Sequence, residues 1–325
     1  MRQFIIKRLL ISIVVLAGIS LMLYAMVRSM PADYVSLSTV SIQKITQEQK
    51  DNLRRIYGLD KSIPEGYADW LKNVLHGDLG TSLVFARPVT EIIKKYLPVT
   101  FMIAALALIF QLLFGIPLGI LAAQRRGTKT DHTIAVFVFI GISVPSFFLA
   151  AILRRTFGYY GLNLLPTAGM LNPRVIYNGF SFAQLTDYIR HLIIPILVFI
   201  IVGTGGWLRY TRTNMIDALN SDYVRTARAK GIPEKHVVYN HALRNTLIPT
   251  VTLLGAQLPG LFSGAIITEN IFAIQGLGNI AFTAANMSDV PYLMGFNMFL
   301  ALCTVLGYFT SDILYAVVDP RIRLS

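Results

Sequence analysis

Six long apolar runs constrain this chain more than any other feature of its sequence. They cover residues 9–26, 100–122, 133–153, 192–210, 247–272 and 292–318. About 20 apolar residues in a helix cross a hydrocarbon core of about 30 Å, and a helix satisfies its own backbone hydrogen bonds there. The runs therefore predict an all-α integral membrane protein with six transmembrane helices.

The composition and the first run agree with this prediction. Hydrophobic residues make up 54% of the chain and charged residues only 14%, which excludes an ordinary soluble domain. The first run follows Arg2, Lys7 and Arg8, as the apolar part of a signal peptide would. This run is longer than the apolar part of a typical signal peptide, and no small-residue cleavage site follows it. We therefore expect the first run to be retained.

Lysine and arginine residues are concentrated in alternate connecting segments. The N-terminus, the segments after the second and fourth runs, and the C-terminus are rich in them. The positive-inside rule places these segments, and so both termini, in the cytoplasm. Long loops cross the membrane largely regardless of charge, so basic residues within 28–98 do not alter this orientation. Topology thus explains the net charge of +12, and no nucleic-acid partner is expected.

The chain divides into three predicted parts. These are the tail and first transmembrane helix (1–27), an extracytoplasmic loop with short helices (28–98), and a five-helix transmembrane core (99–325). Within the loop, one helical pattern begins at residue 47 and stops at Gly58, and a second covers 67–75 before Gly77. A second outer loop, 154–191, is rich in aromatic residues and is predicted to lie along the membrane interface.

Polar side chains lie near the middle of three apolar runs, namely Gln111, Gln257 and Asn297. Such side chains must face protein or water, so together they predict the lining of a translocation path. Small residues in the same runs favour close helix packing, and a solid bundle is the alternative. Glu269 and Asp312 fall near the ends of their runs, so we expect them at the interface.

The sequence contains no enzyme motif. It lacks a G-x-x-x-x-G-K-[ST] phosphate loop, an H-E-x-x-H zinc helix and a G-x-S-x-G nucleophile elbow, and its five histidines are scattered. The single cysteine, Cys303, excludes a disulfide framework within the chain. We therefore expect no catalytic residue, metal site or cofactor in this chain. The alternatives are a membrane enzyme, which needs a buried nucleophile or acid pair, and an ion-gradient-driven secondary transporter, which needs a midplane acidic site.

The segment 211–246 is polar and basic although apolar runs flank it. Helix-compatible residues extend over 213–230. The residues expected on one side of this helix are Met215, Leu219, Tyr223 and either Thr226 or Ala227.

A fixed bend is predicted in the middle of this segment. Gly231 suits the left-handed position that follows a helix, Pro233 suits the first turn of the next one, and Glu234 favours the same N-terminus through the helix dipole. Two helices joined in this way form a rigid docking surface on which a soluble partner can act. An amphipathic segment held by anionic lipid headgroups is the alternative.

Short sequence segments along the whole chain are similar to one family. DYVRTARAKG at 222–231, followed by HALRNTLIP at 241–249, closely resembles the EAA-type cytoplasmic loop of binding-protein-dependent ABC importer permeases. Other segments in that family's order are YGLD at 57–60, HGDLGTS at 76–82, RPVTEIIKKYLPVT at 87–100, VPSFFLA at 144–150, LLPTAG at 164–169, TENIFAIQGLGN at 268–279 and VVDPRIR at 317–323. Their combination resembles the peptide/nickel branch, the Opp/Dpp-type B permease subunit.

The resemblance implies the type I ABC importer permease fold, with a helical extracytoplasmic insertion between the first two spans, in a bacterial or archaeal cell membrane. It implies a homologous second permease, two ABC ATPase subunits that bind ATP and magnesium, and an extracytoplasmic solute-binding protein. The implied substrates are oligopeptides or dipeptides, with nickel or a metal chelate as the alternative. The residues that the resemblance places at the ATPase contact are Asp222, Tyr223, Arg225, Thr226, Ala227, Arg228, Gly231, Glu234 and Tyr239.

Overall fold

The structure, a computed structural model, describes residues 2–29, 46–56, 60–177, 179, 181–263 and 266–318. These residues are helical apart from their connections, and an isolated bridge between Thr81 and Pro88 is the β-type pairing found among them. Two compact units are present. One comprises Met1–Thr100, Leu258–Ile266 and Gln275–Thr310, and the other comprises Phe101–Gln257, Ile267–Ile274 and Ser311–Ser325.

The helices follow one another in this order. The first seven are α1 (Arg2–Arg28), α2 (Gln47–Ile56), α3 (Ile63–Leu75), α4 (Val89–Gln124), α5 (Lys129–Ser143), α6 (Ser146–Phe157) and α7 (Phe182–Leu219). The others are α8 (Asp222–Ala229), α9 (Glu234–His236), α10 (Leu243–Ser263), α11 (Ile266–Ile271), α12 (Leu277–Asn286) and α13 (Val290–Val318). A π-helical turn, Val237–Ala242, joins α9 to α10.

Four described helices, α1, α4, α7 and α13, are long and apolar enough to cross a membrane. They contain the predicted runs 9–26, 100–122, 192–210 and 292–318, so the prediction of an all-helical membrane protein is confirmed. Two of them, α4 with 36 residues and α7 with 38, continue beyond the predicted limits. At 1.5 Å per residue they exceed the roughly 30 Å of a hydrocarbon core.

The third predicted span is not one continuous helix. Helices α5 and α6 meet at an angle of 96°, and they make a fifth span only if the bent pair is counted as one. The cause is local, because Val144 is extended at φ −81° and ψ 121° and Pro145 caps the next helix. Proline lacks an N–H donor and disfavours helical geometry in the residue before it.

The fifth predicted span, 247–272, corresponds to α10 and α11. Neither helix is among the candidate spans found in the described part of the chain, and residues 264–265 lie outside it. The count of six spans therefore stays a prediction. Glu269 in α11 is buried, with 3% of its surface exposed.

The predicted helices between the first two spans are present in the first unit. Helix α2 begins at residue 47 as predicted, and the predicted stop at Gly58 lies outside the described residues. Helix α3 begins at Ile63, earlier than predicted, because Ser62 and a proline in the first turn start it. Helix α3 packs on α1 through Tyr67, whose hydroxyl lies 2.9 Å from the Ser20 hydroxyl.

Asp289 anchors the loop before α4 in the first unit. Its buried carboxylate accepts hydrogen bonds from the Ser82 hydroxyl and from the amides of Leu83 and Val84, the latter two at 3.1 Å. It also accepts from the Tyr292 amide at 3.2 Å, as an N-cap residue of α13 does. One side chain thus caps α13 and fixes the loop. The surrounding core joins Val89, Ile92, Ile93, Leu277, Ile280, Ala281, Ala284, Tyr292 and Phe296.

Candidate functional site

The segment 211–246, which we call the elbow, lies within the second unit. It contains the end of α7, all of α8 and α9, the π-helical turn and the start of α10. The predicted continuous helix over 213–230 is wrong, because α7 ends at Leu219 and α8 begins at Asp222. Between them Ser221 is extended, and its hydroxyl donates to the Ala218 carbonyl at 2.5 Å. Serine favours helix ends because its side chain bonds nearby backbone in this way.

The predicted bend at Gly231 is confirmed, since this residue has φ +74°. The Gly231 amide donates to the Arg228 carbonyl at 2.9 Å, and the Ile232 amide donates to the Ala227 carbonyl at 3.3 Å. This pair of bonds is the Schellman motif, which needs a left-handed residue after the helix. Pro233 occupies the N-cap of α9, one position before the predicted first turn.

An ion pair braces the bend from the outside. Arg228 donates from Nε to Glu234 Oε2 at 3.1 Å and from Nη2 to Oε1 at 2.7 Å. Its Nη1 also donates to the Leu219 carbonyl at 3.4 Å, so one side chain contacts the last residue of α7 and the first residue of α9. The hydrogen bond from Arg228 lowers the pKa of Glu234, and the same bond raises the pKa of Arg228. Both groups are therefore charged at neutral pH.

A small apolar core holds the inner side of the elbow. Val224 and Ala227 of α8 face inward. Ala227 shares the side of Met215 as predicted, whereas Tyr223 was predicted there wrongly and is exposed. The break after Leu219 changes the phase of the helix, so α8 presents a different face than a continuous helix would. The buried members of this core are Ile120, Ala123, Met215, Val224, Ala227, Val237, Val238 and Ala242.

The outer side of the elbow carries the remaining predicted contact residues. Tyr223 is 41% exposed and Tyr239 is 48% exposed, although both are large aromatic residues. Arg225 pairs with Asp222 at 3.3 Å, and both side chains are almost fully exposed. The exposed predicted residues are Asp222, Tyr223, Arg225, Thr226, Arg228, Gly231, Glu234 and Tyr239, whereas Ala227 is buried.

The π-helical turn, Val237–Ala242, was missed by the sequence reasoning. It places the adjacent residues Val237 and Val238 both in the elbow core, while Tyr239 and Asn240 point outward. Single π-helical turns occur often at functional sites. Two consecutive valines before an aromatic residue gave no recognisable signal for this turn.

A second ion pair at the start of α5 was also missed. Arg212 donates from Nε to Asp131 Oδ1 and from Nη2 to Oδ2, both at 2.8 Å. Asp131 is buried, and its Oδ2 also accepts from the Gly127 amide at 3.0 Å. A two-pronged arginine–carboxylate contact fixes orientation as well as distance. It attaches α5 to α7 at the start of the elbow.

Two of the three predicted path residues line one cavity in the second unit. Gln111 and Gln257 border a space of about 340 Å³, and Gln111 donates from Nε2 to the Phe199 carbonyl at 2.9 Å. Gly203 makes room for this amide, because a Cβ atom there would lie 2.3 Å from the Gln111 side chain. The other lining residues are Gly203, Gly206, Trp207, Tyr210 and Leu253. Asn297 belongs to the first unit, where its Nδ2 donates to the Leu293 carbonyl at 2.8 Å.

The described residues contain no group of three or more histidine, cysteine, aspartate or glutamate side chains that could hold a metal ion. The elbow and the cavity offer amides, aromatic rings and exposed charges. These groups suit the binding of other molecules.

Comparison with known proteins finds relatives along the whole chain. Residues 115–324 match the family of binding-protein-dependent transport system inner membrane components, and residues 1–104 match its N-terminal region. The oligopeptide transport system permease protein AppB of Bacillus subtilis is 38% identical over 324 residues, which cover 99% of this chain and 100% of that protein. The dipeptide transport system permease protein DppB of Escherichia coli K12 is 35% identical over 338 residues, covering 99% of each. The di/tripeptide permease protein DppB of Pseudomonas aeruginosa is 34% identical over 337 residues, again 99% of each.

Proposed function

We propose that this chain, which belongs to the family of binding-protein-dependent transport system inner membrane components, takes up short peptides as the permease subunit of an ATP-driven importer. The observation that carries the proposal is the elbow, a braced bend with an exposed aromatic and charged outer face. The full-length similarity to oligopeptide and dipeptide permeases supports the substrate class. Nickel or a metal chelate is the alternative cargo.

In this proposal the elbow receives a separate ATPase subunit. Tyr223 and Tyr239 supply contact area, and Asp222, Arg225 and Thr226 supply polar partners around them. Ala227 packs in the elbow core, and Gly231 holds the bend. ATP and magnesium bind to the two ATPase subunits and not to this chain.

The elbow can transmit movement because its parts are tied together. Arg228 links α8 to Glu234 and to the end of α7, and the apolar core joins α8 to the last turns of α4. A displacement of α8 therefore moves α7 and α10 together, since packed elements shift as units. ATP binding closes the ATPase dimer and turns the bundle outward, and hydrolysis resets it.

The cavity bordered by Gln111 and Gln257 is one proposed part of the translocation path. Asn297, which belongs to the first unit, is a separate candidate for this path. Side-chain amides donate and accept hydrogen bonds, which suits the N–H and C=O groups of a passing peptide. Trp207 and Tyr210 border the same cavity and offer apolar surface for side chains of varied sequence.

The assembled importer has further proposed features. This chain follows the type I permease fold with six spans in the inner membrane, and both of its termini are cytoplasmic. It pairs with a homologous permease, and an extracytoplasmic solute-binding protein delivers the peptide.

Reconstitution tests the proposal. The chain is co-purified with the products of its neighbouring genes, placed in proteoliposomes and supplied with labelled tripeptide or with nickel. We expect uptake of the peptide that requires ATP and the solute-binding protein. Uptake without any ATPase subunit would overturn the proposal, and uptake of nickel but not peptide would establish the alternative cargo.

A further inference from the structure

A second cavity, of about 440 Å³, lies in the first unit. It is bordered by Tyr24 and Val27 in the last turns of α1, by Trp70 on α3, and by Pro291 and Met294 in the first turns of α13. These elements share an apolar cluster that includes Tyr24, Val290 and Met294. The cavity therefore lies where two membrane-spanning helices end, at the depth of the lipid headgroups.

The wall of this cavity is predominantly basic. Its charged residues are Arg28, Arg55, Lys61, Lys72, Asp69 and Asp78. Both carboxylates already have donors, because Asp69 binds the Lys61 ammonium at 2.5 Å and Asp78 accepts from the Gly80 amide at 2.8 Å. The Lys61–Asp69 pair is neutral as a whole, and Arg28, Arg55 and Lys72 against Asp78 leave the wall with a net charge of +2, which favours an anionic ligand.

Aromatic and apolar surfaces lie beside the cavity. Tyr24 and Trp70 have ring centroids 5.9 Å apart, and tyrosine and tryptophan are enriched at the membrane–water interface. On the face of α1 that carries the cavity residue Arg28, Leu10, Val14 and Leu21 are more than half exposed. An apolar chain can lie on this face while its charged head occupies the cavity.

We infer that this cavity binds the phosphate headgroup of an anionic phospholipid whose acyl chains lie along α1. Arg55 and Lys72 are the residues to test, because among the described residues neither is found in an ion pair. Near a membrane each basic residue contributes about five-fold to the binding of anionic lipid. The inference does not depend on transport, ATP or the identity of the cargo.

Fluorescence quenching by brominated lipids measures this binding in the full chain. The chain has two tryptophans, so Trp207→Phe leaves Trp70 as the reporter beside the cavity. This variant is reconstituted with brominated phosphatidylglycerol or brominated phosphatidylcholine at equal mole fractions. We expect stronger quenching by phosphatidylglycerol, and Arg55→Gln/Lys72→Gln should reduce that preference by about five-fold for each charge removed.

A matched control removes the same charge elsewhere in the first unit. Arg87→Gln/Lys94→Gln changes two exposed residues that do not border the cavity, and we expect its lipid preference to stay within about two-fold of the parent because screening weakens distant charges. Native mass spectrometry of the wild-type chain provides a second measurement. It should show retained phosphatidylglycerol that the cavity variant loses.

Several results would overturn the inference. Equal quenching by the two lipids would do so, as would an equal loss in the control variant, which would indicate general surface potential. Removal of the preference by soluble glycerol phosphate would indicate a site for soluble phosphate. An unchanged lipid preference, together with lost docking of the solute-binding protein in the cavity variant, would assign the surface to that protein.

Discussion

Substitution of Gly231 tests whether the shape of the elbow, and not a contact, is what the transporter needs. The residue has φ +74°, and a Cβ atom built on it would meet no heavy atom within 4 Å. A side chain at this position therefore strains the backbone without a clash. We consider Gly231→Asn, Gly231→Ala and Gly231→Val as a graded series.

The expected strain follows from the left-handed conformation. Alanine there costs about 1–2 kcal/mol, asparagine costs less because it visits this region routinely, and β-branched valine costs more, about 2–3 kcal/mol. Opening the bend relieves the strain and breaks the bond from the Ile232 amide to the Ala227 carbonyl. A cost of about 2 kcal/mol lowers the ratio of intact to opened bends by about thirty-fold.

The assay is the stimulation of ATP hydrolysis by the loaded solute-binding protein in the assembled transporter. We expect coupling to decrease in the order glycine, asparagine, alanine, valine. The control is Gly18→Ala, because a Cβ atom at that helical glycine of α1 also meets no atom within 4 Å. Wild-type coupling in the valine variant, or equal damage by asparagine and valine, would refute the reasoning.

Further predictions concern other parts of the chain. The hydrogen bond from Arg228 lowers the pKa of Glu234 below its ordinary value of 4.5, so the pair stabilises the fold above that pH. As the pH falls through the lowered pKa, about 0.5–1 kcal/mol of the free energy of unfolding is lost, a figure that is small because both side chains are partly exposed. Thermal melts of the wild type and of Glu234→Gln at a series of pH values measure this loss. Asp289→Ala leaves buried donors without an acceptor and should destabilise by about 3 kcal/mol or more, whereas Asp289→Asn should cost less in the same unfolding assay. Gly203→Ala places a Cβ atom against the side-chain amide of Gln111 and should slow peptide uptake several-fold. Gly206→Ala should not slow it, because a Cβ atom at Gly206 meets no heavy atom within 4 Å.

Local sequence signals predicted much of the fold. Apolar runs located α1, α4, α7 and α13, because burial in lipid requires nothing more specific than length and hydropathy. Glycine after a basic helical stretch, with proline two positions later, predicted the bend at Gly231 correctly because only local backbone geometry decides it. The third run was predicted as one continuous span, and the 96° bend at Pro145 was missed.

Other features depend on residues that are distant in the chain. Asp289 binds Ser82, which is 207 positions away, and Arg212 binds Asp131, which is 81 positions away. No periodic pattern connects such partners, so the sequence could not identify either anchor. Tyr223 was predicted on the inward side of α8 wrongly for a local reason, because the break after Leu219 shifted the helical phase that the spacing argument assumed.

Photo-crosslinking from the outer face of the elbow tests the central claim most directly. A photoreactive phenylalanine analogue replaces Tyr223 or Tyr239 in the assembled transporter, and Tyr160, an exposed residue of the loop between α6 and α7, serves as the control position. We predict adducts with the ATPase subunit from positions 223 and 239 and none from position 160. An intact complex that gives no ATPase adduct from either elbow position would contradict the account.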